Sequence, residues 1–266
     1  MSENSQSDPS PTITRHEHIA GQVIGRHRHA FHQLVFVSTG VLAVQTGEAS
    51  WVASSAQAMW IPADTWHRHR VYGPSRVHTF GFAPNDAPLP SASPTVVSVE
   101  PLLRELLIAC SDPDMSAPES DRLQAVVRDR LRRSHIRPLA LPVPQDPRLV
   151  RVCGLAAEDL AQPRTVTWLA RQSGVGERTL SRLFRTEFGM TYPQWRTTTR
   201  VFHAMIQLAE GASVTGTGRR CGWATTSAFI DTFTSTVGQT PGSYRAAACG
   251  NARHSPAREY TDISRG

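Results

Sequence analysis

The stretch "TVTWLARQSGVGERTLSRLFRTEFG", residues 165–189, predicts two short helices joined by a tight turn. Thr165 is a helix-capping residue type, so a first helix is expected from this position to about Gln172. "SGVG" then supplies the turn, and a second helix is expected from Glu177 to Phe188. Two helices joined by a short glycine-containing turn are typical of a helix-turn-helix.

The two sides of the second predicted helix carry different chemistry. The side that we expect to be buried holds Leu180, Leu183, Phe184 and Phe188. The opposite side holds Arg178, Ser181, Arg182 and Arg185, at the i, i+3, i+4, i+7 spacing of one helical face. Arginine bonds guanine edges and phosphate oxygens, so this face predicts DNA binding. For the helix taken alone, a solvated charged face is an equally good interpretation.

The residues that follow repeat this pattern. Residues 193–211 predict one longer helix, which over 193–210 would span about 27 Å at 1.5 Å per residue. "SVTGTGRR" then predicts a short helix, "CGW" a turn, "ATTSAFIDTFTSTVG" (224–238) a second recognition-type helix, and "QTPGSYR" the start of a final helix. A spacer of this length suits two helices that enter grooves about 34 Å apart, which is one DNA turn.

Residues 148–245 resemble the AraC/XylS family of transcription regulators, which are bacterial-type regulators. The positions that carry the resemblance are Leu169, Ala170, Gly174, Arg178, Leu180, Arg182, Leu183, Phe184, Gly189, Arg200, Ala204, Leu208, Gly211, Gly222, Phe229, Phe233, Gly238, Pro241, Tyr244 and Arg245. The resemblance implies an all-α domain of two helix-turn-helix units joined by one long helix, with each unit offering a recognition helix to the major groove.

The second unit departs from the family pattern. Thr217 and Gly218 stand where the family usually has Ile-Ala, and residues 224–237 contain no Arg. Asp231 would repel phosphate, although it can accept from a cytosine amino group. We therefore expect the first unit to provide most of the affinity and base reading. The predicted DNA-contacting residues are Arg178, Thr179, Ser181, Arg182, Arg185, Arg200, Arg219, Arg220, Ser227, Ala228, Asp231 and Arg245.

The N-terminal part reads as β structure, which makes the predicted fold class α+β. Short apolar runs such as "LVFVS", "VLAVQ", "AMWIP" and "VHTFGF" recur with Gly and Pro between them, which predicts a small antiparallel barrel or sandwich. Residues 100–110 and 119–133 have apolar residues at helical spacing, which predicts two helices with one apolar side each. These apolar sides could form a dimer contact or pack on the barrel. The expected divisions are a disordered 1–12, a sensor at 13–84, a helical linker at 85–146, the DNA-binding domain at 147–246 and a flexible tail at 247–266.

The run "RHRHAFHQ", residues 26–33, places three histidines within six positions. Residues two apart on a strand share a face, so His27, His29 and Gln33 should point one way. His32 should point the other way, together with Arg26 and Arg28. By the same parity, His67 and His69 share a face, with Arg68 and Arg70 opposite.

Residues 21–40 resemble the first cupin motif at Gly21, His27, His29, Gln33 and Gly40, and "PADTWH" resembles the second at Pro62 and His67. Gln33 replaces the usual Glu, and Asp64 the usual Gly. The resemblance implies a cupin-like sensor barrel. His27, His29 and His67, with Gln33, suit a divalent transition metal such as Zn, Ni, Cu or Fe. The missing carboxylate would weaken metal binding, so a polar pocket for an organic effector stays open as the alternative.

The charge distribution separates the two parts. The net charge is +6, and residues 147–250 hold 12 Arg against 6 acidic residues, without any Lys in the chain. This basic excess predicts a polyanionic partner for the helical part. The polar N-terminus lacks the features of a signal peptide, and we expect a cytoplasmic protein. The four widely spaced Cys predict neither a zinc finger nor a disulfide framework.

Three functions fit these patterns. The first is a sequence-specific DNA-binding transcription regulator whose sensor binds a small molecule or metal ion. Its expected partners are operator DNA, a second copy in a homodimer and, for an activator, RNA polymerase. The second is a metal-dependent cupin enzyme fused to a DNA-binding domain, although the sequence shows no acid/base or nucleophile constellation. The third is a constitutive DNA-binding protein whose barrel only dimerises.

Overall fold

The computed structural model describes residues 13–137 and 140–249, so the expectations for residues 1–12 and for the tail beyond residue 249 lie outside it. The strands are β1 (Ile13–His18), β2 (Val23–His27), β3 (His32–Gln45), β4 (Ala49–Ala53), β5 (Gln57–Ile61), β6 (His67–Phe82), β7 (Thr95–Ser98), β8 (Ile136–Arg137) and β9 (Leu141–Pro142). The helices are α1 (Pro101–Ala109), α2 (Ala117–Arg132), α3 (Pro147–Ala157), α4 (Val166–Ser173), α5 (Glu177–Phe188), α6 (Tyr192–Ala209), α7 (Val214–Arg220), α8 (Thr226–Val237) and α9 (Pro241–Cys249).

The N-terminal domain is an antiparallel sheet built around two long strands. β3 and β6 pair from His32↔Phe82 to Gln45↔Arg68. The strand order is β1-β6-β3-β5-β7-β8, while β2 pairs with β6, β4 with β3, and β9 with β4. The chain therefore has the predicted α+β class, with a cupin-like sheet domain followed by an all-α domain.

The sheet extends beyond residue 84, which the sequence analysis gave as the end of the sensor domain. β7 pairs with β5, β8 with β7, and β9 with β4, so three short strands come from the segment expected to be a linker. The run "TVVS" that forms β7 is apolar and mostly buried, but it follows a Pro- and Ser-rich stretch that masks it as a strand signal.

Helices α1 and α2 pack on the sheet. Their buried residues Leu103, Leu107, Val127 and Leu131 share one core cluster with Phe80, Phe82 and other sheet side chains. Burying a Leu or Phe side chain contributes about 1.5–3 kcal/mol. Of the two uses open to these apolar stripes, packing on the barrel is therefore the observed one, while Leu102 and Val126 stay exposed on the outer side of the helices.

The C-terminal domain is helical, and its local signals match the sequence. The Thr165 hydroxyl accepts from the Trp168 N–H at the start of α4, and α5 has the predicted bounds. Gly189 ends α5 in the left-handed conformation with φ 67°, which favours glycine. Thr191 and Gln194 form a capping box at the start of α6. None of the described helices is both long and apolar enough to cross a bilayer.

The second helix-turn-helix unit packs directly on the sheet. Val41 of β3 and Val52 of β4 belong to the same buried cluster as Met205, Phe233 and Tyr244. The two domains therefore share part of a hydrophobic core.

Candidate functional site

Helix α5 presents its arginines to solvent. Leu180, Leu183 and Phe184 are buried beneath it, packed against α3, α4 and α6. The exposed side carries Arg178, Ser181, Arg182 and Arg185, and Thr179 is half-buried beside them. Because the helix is held by its apolar side and follows a tight turn from α4, these guanidinium groups project together from one rigid surface.

Helix α8 has the same packing and a different exposed surface. Phe229, Phe233 and Val237 are buried. Its exposed side carries Ser227, Ala228, Asp231 and Ser235. The nearby cations Arg219, Arg220 and Arg245 are exposed on α7 and α9, and Arg220 Nε donates to Gln207 Oε1 at 2.7 Å. In the second unit the arginines therefore lie on the helices next to α8, while α8 itself carries the carboxylate of Asp231.

Arg200, also predicted to contact DNA, is directed into the domain. Its Nη2 donates to the Leu160 carbonyl at 3.0 Å, and its guanidinium lies 5.8 Å from the Trp223 ring centroid. Burial lowers the pKa of Arg200 from its ordinary value, with the neighbouring Arg196 acting in the same direction. These contacts fix the segment before α4 against α6 and give Arg200 a structural position.

The Thr217-Gly218 departure has a packing consequence. A Cβ at Gly218 would lie 3.0 Å from Phe229 Cδ1, so the missing side chain lets α7 approach α8 closely. Thr217 is fully buried, and within the described part of the chain its hydroxyl has no hydrogen-bond partner. The second unit thus combines close packing with an unsatisfied buried hydroxyl.

The three predicted histidines of the sensor come together. The candidate ligand nitrogens of His27, His29 and His67 all lie within 4.8 Å of one another, and we call these residues the histidine cluster. His27 pairs with His67 across β2 and β6. The strand assumption behind the prediction was only partly right, because β2 ends at His27 and His29 lies in the connection to β3.

Hydrogen bonds orient two of these rings. His27 Nδ1–H donates to the Gly25 carbonyl at 2.7 Å, and His67 Nδ1–H donates to the Thr65 carbonyl at 2.8 Å. A carbonyl oxygen only accepts, so each Nδ1 carries a proton, and in the neutral form of the ring the Nε2 lone pair is left for a ligand. Backbone carbonyls hold metal-binding histidines in the same way.

The inner polar atoms of this region lack partners. Among the described residues, both ring nitrogens of His29, Nε2 of His67 and Nε2 of His69 are buried without a hydrogen bond, as is Oε1 of Gln33. Buried polar atoms are rarely left unsatisfied without a ligand or ordered water. His69, whose ring centroid is 5.1 Å from that of His67, was missing from the predicted site although its parity with His67 could have revealed it.

Burial lowers the pKa of three histidines in this region, His29, His67 and His69. Burial lowers the pKa of His29 to about 4, and the neighbouring His27 adds to the effect. Burial also lowers the pKa of His67 to about 4, even though its bond to Thr65 acts in the opposite direction. The pKa of His69 is well below its ordinary value, first because of burial and then because of His67. Neutral imidazole is the form that ligates a metal.

Two neighbouring residues have supporting positions. Asp64, which replaces the family's glycine, has a left-handed φ of 59°, and its N–H donates to the His29 carbonyl at 2.7 Å. Asp is one of the few non-glycine residues that tolerate this conformation. His32 lies outside the cluster as predicted, because its Nδ1 accepts from the Ala63 N–H and its ring stacks on Trp60.

The donor set fits a transition metal ion. Three neutral imidazoles are suitable ligands for Zn, Ni, Cu or Fe, and in a tetrahedral site their nitrogens would lie about 3.3 Å apart. The observed spread of up to 4.8 Å is wider than that geometry, so the nitrogens would have to move closer together around a bound ion. Gln33 lies on β3 with its Oε1 buried and unpartnered among the described residues, and it can supply only a neutral oxygen.

Comparison with known proteins agrees with both halves of the chain. An AraC-like ligand binding domain matches residues 11–138, and a helix-turn-helix domain model matches residues 169–247. The chain belongs to the AraC family of transcription regulators. This AraC-family regulator has an N-terminal ligand-binding domain and a C-terminal helix-turn-helix DNA-binding domain, as its sequence predicted.

One relative and two solved structures illustrate the similarity. The HTH-type transcriptional regulator NimR of Escherichia coli K12 is 27% identical over 223 residues, which cover 83% of this chain and 81% of that protein. ToxT from Vibrio cholerae aligns with 91% of this chain and all of its own, at 10% identity and a TM-score of 0.41. An AraC-type regulator from Chromobacterium violaceum aligns with 40% of this chain and 95% of its own, at 24% identity and a TM-score of 0.38.

Proposed function

We propose that this AraC-family regulator binds its operator mainly through α5 and senses a divalent transition metal at the histidine cluster. The exposed arginine face of α5 carries the first part of the proposal. The converging, unpartnered ring nitrogens of the cluster carry the second. The regulator acts in the cytoplasm, as a homodimer, and an activating role would add RNA polymerase as a partner.

DNA recognition is unequal between the two units. Arg178, Arg182 and Arg185 supply bidentate donors for guanine edges and phosphates. In the second unit Arg219, Arg220 and Arg245 supply phosphate contacts, while Ser227, Ala228 and Asp231 face the groove with little positive charge. The internal contacts of Arg200 support a role in shaping the domain rather than in touching DNA.

Metal is favoured over an organic effector because three imidazole nitrogens converge within 4.8 Å of one another. Bound metal would satisfy the buried nitrogens and tie the end of β2 to β6. Zn, Ni, Cu or Fe would be held by His27, His29 and His67, with Gln33 or His69 as a further donor. An organic molecule that accepts and donates hydrogen bonds to the same atoms is the alternative effector.

The test of DNA recognition uses an operator that the full-length protein selects from random duplex DNA. Arg182→Ala should weaken binding by about 1–3 kcal/mol in fluorescence anisotropy titrations, whereas Asp231→Ala should change Kd less than about threefold. Arg122→Ala removes the same charge from an exposed position on α2 and serves as the control. Equal losses for Arg182→Ala and Asp231→Ala would contradict the inequality between the units.

The enzyme alternative makes a separate prediction. A cupin enzyme fused to a DNA-binding domain would turn over small substrates when Fe(II) is supplied, whereas we propose that this chain is not an enzyme. The group of His27, His29 and His67 includes no Asp or Glu of the described residues, which supports a sensor over an enzyme. Oxygen consumption or product formation above that of His67→Ala, in a panel of substrates with Fe(II), would favour the enzyme.

A further inference from the structure

The strands that carry the histidine cluster also carry a basic surface on their other side. Arg26, Arg28, Arg68 and Arg70 are exposed, and Trp66 among them keeps 42% of its surface exposed. We call these five residues the basic face. The proposed function uses the histidines of the two strands and leaves the basic face without a role.

The basic face is held in place by contacts of its own. The guanidinium groups of Arg26 and Arg28 lie 4.8 Å and 5.1 Å from the Trp66 ring centroid. Arg68 Nε donates to Gln45 Oε1 at 2.8 Å, and Arg70 lies 5.7 Å from the Tyr72 ring. Side chains that are ordered in advance lose less entropy when a partner binds.

The charge of this face is concentrated in an otherwise acidic region. Residues 13–86 contain six Arg and four acidic residues, and four of those six Arg belong to the basic face. Exposed Trp and Arg are the residue types most enriched where binding energy is concentrated at protein interfaces. The face therefore suits an acidic partner that also offers an apolar group to the indole.

The chain itself contains a segment with this chemistry. Residues 112–121, which we call the acidic segment, hold Asp112, Asp114, Glu119 and Asp121 without a basic residue. All four are exposed, and within residues 13–137 and 140–249 none of them takes part in an ion pair. Pro113, between the first two acids, is exposed as well, and Met115 follows half-buried.

The basic face and the acidic segment lie at opposite ends of β6. Asp112 lines the same cleft as Gly81, near the end of the strand, whereas Arg68 is next to its first residue. Both surfaces stay exposed within a single chain, so a contact between them has to join two copies.

We propose that the basic face of one copy binds the acidic segment of a second copy. The carboxylates of Asp112 and Asp114 pair with the arginines, while Pro113 covers the exposed side of Trp66. Nucleic acid is the competing partner for an arginine-rich face, but a duplex keeps its bases stacked inside and presents mainly phosphates and sugars to the indole. The contact joins two different surfaces of the chain, and two copies related by a two-fold axis can form it twice.

Charge reversal with the full-length protein tests this contact by sedimentation velocity without DNA, at about 50 mM and 500 mM salt. The wild type should associate at low salt and dissociate at high salt. Arg26→Glu/Arg28→Glu and Asp112→Arg/Asp114→Arg should each lower the association constant about tenfold. Glu105→Arg/Asp129→Arg, two exposed acids of α1 and α2 outside the acidic segment, controls for net charge.

Mixing the two reversed proteins separates the contact from a folding defect. One protein keeps an intact acidic segment and the other an intact basic face, so an equimolar mixture should form a 1:1 complex that neither protein forms alone. The proposal would be overturned if the wild type stayed monomeric at about 100 µM and low salt. It would also be overturned if both charge-reversed proteins associated as strongly as the wild type. A salt slope of DNA binding that drops by about 2 in Arg26→Glu/Arg28→Glu, with self-association unchanged, would assign the face to nucleic acid and overturn it as well.

Discussion

Two sets of histidines in the sensor, His78 and the pair His29 and His67, both have buried ring nitrogens and differ in the partners of those nitrogens. His78 is fully buried, and burial lowers its pKa to about 4, as it does for His29 and His67. His78, however, uses both ring nitrogens, with Ser111 Oγ at 2.9 Å and Ser38 Oγ at 2.8 Å. A lowered pKa therefore reports burial in both cases, and the state of the ring nitrogens separates a structural histidine from a candidate ligand.

The largest effect is expected from removing the satisfied histidine. His78→Ala deletes two hydrogen bonds, leaves two buried serine hydroxyls without a histidine partner and opens a cavity beside α1. The free energy of unfolding should fall by about 3–5 kcal/mol in urea titrations. Metal affinity should stay at the wild-type value in the folded variant. A loss of metal binding in His78→Ala would contradict the distinction between His78 and the histidine cluster.

In contrast to His78→Ala, the substitution His67→Ala should lower metal affinity more than stability. It removes one of three ligands, so affinity for Zn or Ni should fall about 100-fold or more in competition with a chromogenic chelator. The metal-free protein should lose less stability than His78→Ala, because His67 makes one hydrogen bond, to the Thr65 carbonyl, whereas His78 makes two. His32→Ala is the matched control, and its metal affinity should not change because His32 bonds Ala63 outside the cluster.

Acid should weaken the fold through His78. Its folded-state pKa of about 4 lies below the ordinary value of 6.5, so below pH 6.5 the unfolded chain binds the proton more readily. The stability that His78 contributes is complete above pH 6.5 and is lost as the pH falls toward 4, by up to about 3 kcal/mol. In urea titrations of metal-free protein, the difference between wild type and His78→Gln should shrink over this range. A constant difference would contradict the assignment.

Gln33→Glu should give the smallest effect. A carboxylate at this position adds a negative charge beside the proposed ion, and metal affinity should rise about tenfold. Without metal the same change should lower stability, because Gln33 is buried and its Oε1 has no partner among the described residues. Isothermal titration of the wild type and the variant with Zn or Ni measures the difference in affinity. Unchanged affinity in Gln33→Glu would place Gln33 outside the site.

Much of the helical domain could be predicted because its signals are local. The bounds of α5 and the caps at Thr165 and Gly189 follow from residue types within a few positions. The internal position of Arg200 could not be read in this way, since it depends on the Leu160 carbonyl and on Trp223, which are far away in the sequence.

The sensor was predicted less completely because its contacts are long-range. His27, His29 and His67 were found from motif spacing, yet His29 proved to lie between strands rather than on one. β7 and β9 were missed because such short strands are defined by the strands they pair with, here β5 and β4. The left-handed Asp64 likewise carries no sequence signal apart from the glycine it replaces.

The most direct test of the central claim is the Kd for the selected operator, measured by anisotropy with metal-loaded and metal-stripped protein. A regulator that senses metal at the histidine cluster should show a change in Kd of about fivefold or more in the wild type, and the change should vanish in His67→Ala. A wild-type Kd that is the same in both states, or a His67→Ala protein that responds as the wild type does, would contradict the account.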